Sequence, residues 1–205
     1  MPPIYYGEDT SPTTPKLQKP QENGENTEWQ FLEVENYDIY FYSNVDNSTS
    51  AKLVQMLNRL DIAAQKHAID YGVSPTIKLH IHSYGGYVSS GMAIHDTIKS
   101  LRTPVSTYVE GVCASAGTFI SLAGDNRYMR KNAVFLIHQL SGVAWGTYEQ
   151  MKDSLHLADM LMNQVVTLYD EHSLAGRSKI EEMLKRDTWL SPNEAKELGF
   201  IDEII

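Results

Sequence analysis

The sequence predicts an α/β fold with a largely parallel sheet. Three observations carry that expectation. Strand-like and helix-like segments alternate along most of the chain, the pattern of βαβ units with right-handed crossovers. Short apolar runs end in turns rich in Gly and Ser, and each turn leads into a helical pattern. The 205 residues, 42% of them hydrophobic, suffice for one sizeable core but not comfortably for two.

The elements follow in order. Residues 1–28 hold five of the eight prolines and many polar residues. Such a segment buries too little apolar surface to offset its ordering entropy, and a flexible tail is expected there. The folded domain is expected over residues 29–205. Asp38 to Tyr42 reads as a strand. Ser48 to Lys66 reads as a helix, with Leu53, Met56, Leu57 and Leu60 on one side. Thr76 to His82 alternates apolar and polar residues like a strand, and Ser83-Tyr84-Gly85-Gly86 forms a turn after it. A helix from Ser89 to Leu101, a strand from Val105 to Val109 and a helix from Ala114 to Ala123 come next. Ala133 to Ile137 is a short apolar strand that ends at His138. Thr147 to Glu171 is a long amphipathic helix, with apolar residues at three- and four-residue spacing. Ser178-x-x-Glu181 and Ser191-Pro192-x-Glu194 both read as capping boxes. No internal repeat is visible.

Charge and cysteine usage narrow the function classes. Lys plus Arg number 17 against 26 Asp plus Glu, a net charge of −9. No basic run offsets this, so binding driven by phosphate neutralisation is not expected and nucleic acid is excluded as a partner. The one cysteine, Cys113, allows no intrachain disulfide and fits a reducing, cytoplasmic setting. The most apolar stretch, Val112 to Ala123, is too short and too polar to span a membrane. The first residues lack a basic region followed by an apolar one, so no secretory signal is expected.

Three pieces can carry chemistry. Ser115 stands in Gly111-Val112-Cys113-Ala114-Ser115-Ala116-Gly117, at the expected junction of strand and helix. Unpaired N–H groups at a helix start can stabilise an oxyanion. The glycine turn at Gly85 can present a second N–H donor. His138, at a strand end in Leu136-Ile137-His138-Gln139, could take the Ser115 proton, and Asp187 could hold the imidazole tautomer. The order Ser, His, Asp differs from the three commoner serine-hydrolase orders, and Cys113 breaks a Gly-x-Ser-x-Gly elbow. Asp153, Asp170 and Asp202 are other candidates for the orienting carboxylate. His80-x-His82 puts two imidazoles on one strand face, but no third ligand has suitable spacing, so no metal is expected. Cys113 reads as a small core residue.

The ordered set resembles the proteolytic subunit of the caseinolytic (Clp) protease family. The matching text is His82-Ser83-Tyr84-Gly85-Gly86, Ala114-Ser115-Ala116-Gly117, Leu136-Ile137-His138-Gln139 and Arg186-Asp187-Thr188-Trp189-Leu190-Ser191. Gly91-Met92-Ala93-Ile94-His95-Asp96-Thr97 and the closing Leu198-Gly199-Phe200-Ile201-Asp202 add to it. Tyr84 stands where the family usually has proline. The resemblance implies a ClpP/crotonase-like α/β fold of repeated βαβ units with a protruding helical handle. It implies Ser115 as nucleophile, His138 as base, Asp187 as orienter, and the Gly85 and Ala116 N–H groups as oxyanion hole. It further implies a serine endopeptidase without cofactor, stacked heptameric rings, unfolded polypeptide as substrate and an AAA+ unfoldase ATPase as partner. Gly142 to Gly146 would be a flexible strand to which an extended peptide adds.

Other readings stay open on the residues alone. The chain could be a catalytically silent ring subunit or a dedicated processing protease, for example in viral capsid maturation. It could also be a crotonase-type acyl-CoA enzyme, which uses glycine-turn N–H groups to polarise a thioester.

Overall fold

The computed structural model describes residues 31–205, and the expected tail at residues 1–28 lies outside them. Eight strands form one sheet: β1 (Phe31–Glu35), β2 (Asp38–Tyr42), β3 (Ile77–Ser83), β4 (Val105–Ala114), β5 (Asn126–Met129), β6 (Val134–Ile137), β7 (Thr188–Leu190) and β8 (Glu203–Ile204). Among the described residues six helices join them: α1 (Asn47–Tyr71), α2 (Val88–Ser100), α3 (Ala116–Leu122), α4 (Tyr148–Glu171), α5 (Arg177–Met183) and α6 (Pro192–Glu197). The expected α/β architecture is therefore present.

The main path runs β1-β2-β3-β4-β5-β8, with β6 paired to β4 and β7 paired to β6. Every pairing is parallel except β1 with β2 and β6 with β7. β4 is the longest strand at 10 residues, and its two halves serve different neighbours. Ser106 to Val109 pair with β5, whereas Val112 to Ala114 pair with β6. This fork carries the strand five residues past its expected end at Val109 and sets the β6 end beside the β4 end.

One sheet face is apolar and carries the core. Ile39, Phe41, Leu79, Ile81, Val105, Val109 and Met129 are buried there with residues of α1, α2 and α3. Burial of this face is the main stabilising force on the fold. The opposite face carries a row of rings across four paired strands. Tyr40, His80, Tyr108 and Tyr128 stack with centroids 4.6 to 4.9 Å apart.

Helix boundaries follow their caps. Asp46 caps α1 in a reciprocal box with Thr49, and Gly72 in the left-handed region ends it, so the helix runs past Lys66 to Tyr71. Thr147 and Gln150 form the same box at the start of α4, and Ser191 and Glu194 form it at α6. The expected box at Ser178 is absent: Gly176 stands at the N-cap of α5 and Ser178 lies inside the helix.

Candidate active site

β4 ends at Ala114 and α3 begins at Ala116, so the entire reversal from strand to helix falls on Ser115. Its backbone sits at φ 54° and ψ −128°. An L-residue there is strained by about 1–3 kcal/mol and persists only if its surroundings over-determine it. They do. The Ser115 N–H donates to the Leu136 carbonyl at 2.9 Å, tying the turn to β6. The Ser115 carbonyl accepts the Thr118 N–H at 2.9 Å and the Thr118 hydroxyl at 2.6 Å. Strain at a sharp strand-to-helix turn is how a nucleophilic hydroxyl is made accessible.

The fork in β4 positions His138. Ala114 pairs with Leu136 on β6, and His138 lies just past the end of that strand. Ser115, His138 and Gly86 line one cleft of about 40 Å³, together with Phe119, Val165 and Tyr169. Ser115 and His138 are both half-buried. Asp187 immediately precedes β7, whose Thr188 pairs with Ile137. The next position along the two strands is therefore His138 opposite Asp187. Asp187 is exposed, and the side chains of Ser115, His138 and Asp187 make no hydrogen bond among the described residues. The backbone thus brings the three positions to one sheet end without locking the side chains together.

The glycine turn follows β3 and packs directly on Ser115. A Cβ on Gly85 would lie 2.6 Å from Ser115 Cβ and 3.0 Å from the Ala116 nitrogen. Gly85 (φ 89°) is buried, and its N–H donates to Ser83 Oγ at 3.1 Å. That N–H already has an acceptor. Gly86 (φ 150°) is exposed to the cleft, and its N–H has no acceptor among the described residues. The turn is clamped to the loop before α1: the Val45 N–H donates to the Gly85 carbonyl at 2.8 Å, and the Tyr87 N–H donates to the Val45 carbonyl at 2.7 Å. The glycine pair in the sequence does not say which N–H is free; that depends on Ser83 turning its hydroxyl back. The Ala116 N–H also lacks an acceptor among the described residues, as expected for the first turn of a helix.

The remaining candidates have other occupations. Asp202 accepts from Arg127 Nη2 at 2.6 Å and from the Arg127 N–H at 2.8 Å, far from an orienter's role. Asp153 and Asp170 lie on α4 and make no contact with His138 in hydrogen bonds or ion pairs among the described residues. His80 is held between the Glu110 carboxylate at 2.6 Å and the Asp38 carboxylate at 3.1 Å, and no metal-binding cluster occurs among the described residues. Cys113 is fully buried, and burial pushes its thiol pKa far up, so it is an inert core residue. Gly142 to Gly146 carries no strand, and Val143 and Trp145 are 95% and 94% exposed. No described helix is long and apolar enough to cross a membrane.

A strained serine at a strand-to-helix turn, beside a strand-end histidine and free backbone N–H groups, defines a serine-hydrolase type of site on a βαβ scaffold. Comparison with known proteins makes this specific. A family model described as Clp protease matches residues 23–205. The chain is 36% identical over 165 residues to the ATP-dependent Clp protease proteolytic subunit of Streptococcus sanguinis, covering 78% of this chain and 79% of that protein. It is also similar to the solved structure of a mutant of ClpP1 from Listeria monocytogenes. That likeness has a TM-score of 0.73 and 27% identity, covering 83% of this chain and 91% of the other. The chain belongs to the Clp protease family, and its enzyme class is serine endopeptidase of the Clp proteolytic-subunit type.

Proposed function

We propose that the chain is the proteolytic subunit of a self-compartmentalising protease that hydrolyses unfolded polypeptide through Ser115, His138 and Asp187. The observation that carries this reading is the strained Ser115 backbone in one cleft with His138 and Gly86. His138 takes the Ser115 proton as the hydroxyl attacks the scissile carbonyl, and returns it to the departing amine. Asp187 holds the imidazole tautomer and stabilises the imidazolium. Water then hydrolyses the acyl-enzyme by the same base.

The oxyanion is stabilised by the Gly86 and Ala116 N–H groups, with Gly86 in the place expected for Gly85. The engaged Gly85 N–H and the open Gly86 N–H support this assignment. The side chains of the triad close their hydrogen bonds when the substrate and the assembly bring Asp187 and His138 into line. Catalytic hydrogen bonds are often long before substrate binds.

Assembly supplies the chamber. α4 projects apolar side chains outward, with Leu155 63% and Leu157 54% exposed. An amphipathic helix with so much bare apolar surface calls for a partner, and ring-to-ring stacking of identical subunits provides one. The segment Gly142 to Gly146 then takes an extended substrate by strand addition, and an AAA+ unfoldase delivers it.

The test is fluorophosphonate labelling and peptide cleavage by wild type and Ser115→Ala, with particle size measured on the same samples. Wild type is expected to label, to cleave and to run as a ring-sized particle; Ser115→Ala should only assemble. Equal cleavage by both proteins removes the mechanism. An active monomer removes the chamber. A ring that neither labels nor cleaves marks a silent subunit.

A further inference from the structure

The carbonyl of Ser115 is the end of a buried hydroxyl chain that reaches into α4. Thr118 Oγ1 lies 2.6 Å from the Ser115 carbonyl oxygen and 2.6 Å from the Tyr169 hydroxyl. Tyr169 is fully buried and edges onto Phe119 at 5.7 Å and Phe200 at 6.0 Å. Thr118 is fully buried as well.

Proton counting fixes the direction of this chain. A carbonyl only accepts, so the single Thr118 hydroxyl proton points to Ser115. Thr118 Oγ1 then has only acceptor capacity left, and Tyr169 must donate to it. The order is Tyr169 O–H to Thr118 Oγ1–H to Ser115 C=O. Burial keeps the phenol protonated by pushing its pKa up, which suits the donor role.

The consequence lies one bond further on. The Ser115 carbonyl and the Ala116 N–H belong to one planar, trans peptide unit, so they point in opposite directions. Anchoring the carbonyl aims the N–H. The two hydrogen bonds on that carbonyl also hold Ser115 in a backbone region that it would otherwise leave.

We propose that Tyr169 and Thr118 are positioning residues, which hold the Ser115–Ala116 peptide so that the Ala116 N–H faces the oxyanion. This rests on the reading of Ser115 as nucleophile.

The experiment compares Tyr169→Phe, Thr118→Val and Thr118→Ser with wild type on a chromogenic peptide. Rates are divided by the number of active sites titrated with a fluorophosphonate, so that misfolded protein does not count. Tyr169→Phe keeps the ring and its packing, and Thr118→Val keeps the shape. Each is expected to lower kcat per site about tenfold with KM within twofold. Thr118→Ser restores the donor and should stay within about twofold of wild type. Tyr169→Phe added to Thr118→Val should cost nothing more, since both break one chain. A residue needed only for folding would lower the titrated sites and leave kcat per site unchanged; that result overturns the proposal. So does additive loss in the double variant. Ser115→Ala separates the two levels. If it cleaves like wild type, the nucleophile and the relay fall together. If it is dead while Tyr169→Phe and Thr118→Val turn over like wild type, only the relay falls.

Discussion

Gly86→Ala probes the oxyanion turn most directly. An added Cβ would run into the Val45 carbonyl oxygen and stand 2.9 Å from the Val45 carbonyl carbon. Both are backbone atoms, so the turn itself must move. The movement strains the Tyr87 N–H bond to Val45 at 2.7 Å and the Val45 N–H bond to Gly85 at 2.8 Å. Each is worth about 1 kcal/mol net. Alanine at φ 150° adds roughly 1–2 kcal/mol of backbone strain. Destabilisation of about 3 kcal/mol is therefore expected, small enough to leave a folded domain. The rate should suffer more than the fold. The shift withdraws the Gly86 N–H from the cleft, and loss of one oxyanion donor lowers kcat by about 10²–10³. The assay is peptide cleavage per titrated site, with denaturant unfolding run in parallel. Ser83→Ala is the companion, since it removes the acceptor that engages the Gly85 N–H; it should change the rate less than about tenfold. A folded Gly86→Ala protein within threefold of the wild-type rate would refute the assignment. A hundredfold loss in Ser83→Ala would shift attention back to Gly85.

Three further outcomes concern stability. Phe200→Ala empties a fully buried site between Phe135 at 5.6 Å and Tyr169 at 6.0 Å, and should destabilise by about 3–5 kcal/mol in denaturant unfolding; less than 1 kcal/mol would contradict that packing. Ser191→Ala removes a reciprocal cap at the start of α6 and should cost about 1 kcal/mol, with Ser191→Thr near wild type. For Asp202, burial alone would raise the carboxyl pKa, but the hydrogen bonds and charge of Arg127 outweigh it and hold the pKa below the ordinary range. A carboxylate depressed in the folded state adds stability above its unfolded pKa, and loses it as pH falls through the lower folded value. The advantage of wild type over Asp202→Asn, about 1 kcal/mol at neutral pH for this partly exposed pair, should therefore shrink below about pH 4. Unfolding midpoints at pH 7 and pH 3 measure it, and an advantage that does not change between them refutes the pairing argument.

The local signals in the sequence are those that need no distant partner. β2 is visible because Asp38 to Tyr42 alternates, and α4 because its apolar stripe and Thr147 cap are local. What is hidden depends on pairing across the chain. β7 is three residues long and exists because it lies against β6; β8 is two residues long and exists because it lies against β5. The second half of β4 contains Glu110 and Gly111 and looks like a loop, yet β3 and β6 hold it as strand. The site divides in the same way. Ser115 and His138 announce themselves by standing at the ends of apolar runs. Asp187 has no such local signal: it is an exposed residue whose place follows from the β6–β7 register. The difference between Gly85 and Gly86 is set by a side chain two residues upstream, and periodicity does not encode it.

The cleft is assembled from two parts of the fold with different rigidity. Ser115, His138 and the glycine turn rest on β3, β4 and β6, which the parallel ladder fixes. Val165 and Tyr169 come from α4, a helix of 24 residues whose first half is largely exposed and whose buried residues, Val165, Val166, Leu168 and Tyr169, all lie in its last turns. That buried end carries Tyr169, whose hydroxyl donates to Thr118 Oγ1, and the Thr118 hydroxyl donates to the Ser115 carbonyl. On the relay proposed above, a partner seated on the exposed half of α4 would act on Tyr169, and through it on the Ala116 N–H. If α4 is the assembly surface, a surface change on its exposed half should alter kcat before it alters the affinity for peptide, and equal loss in both would count against the relay.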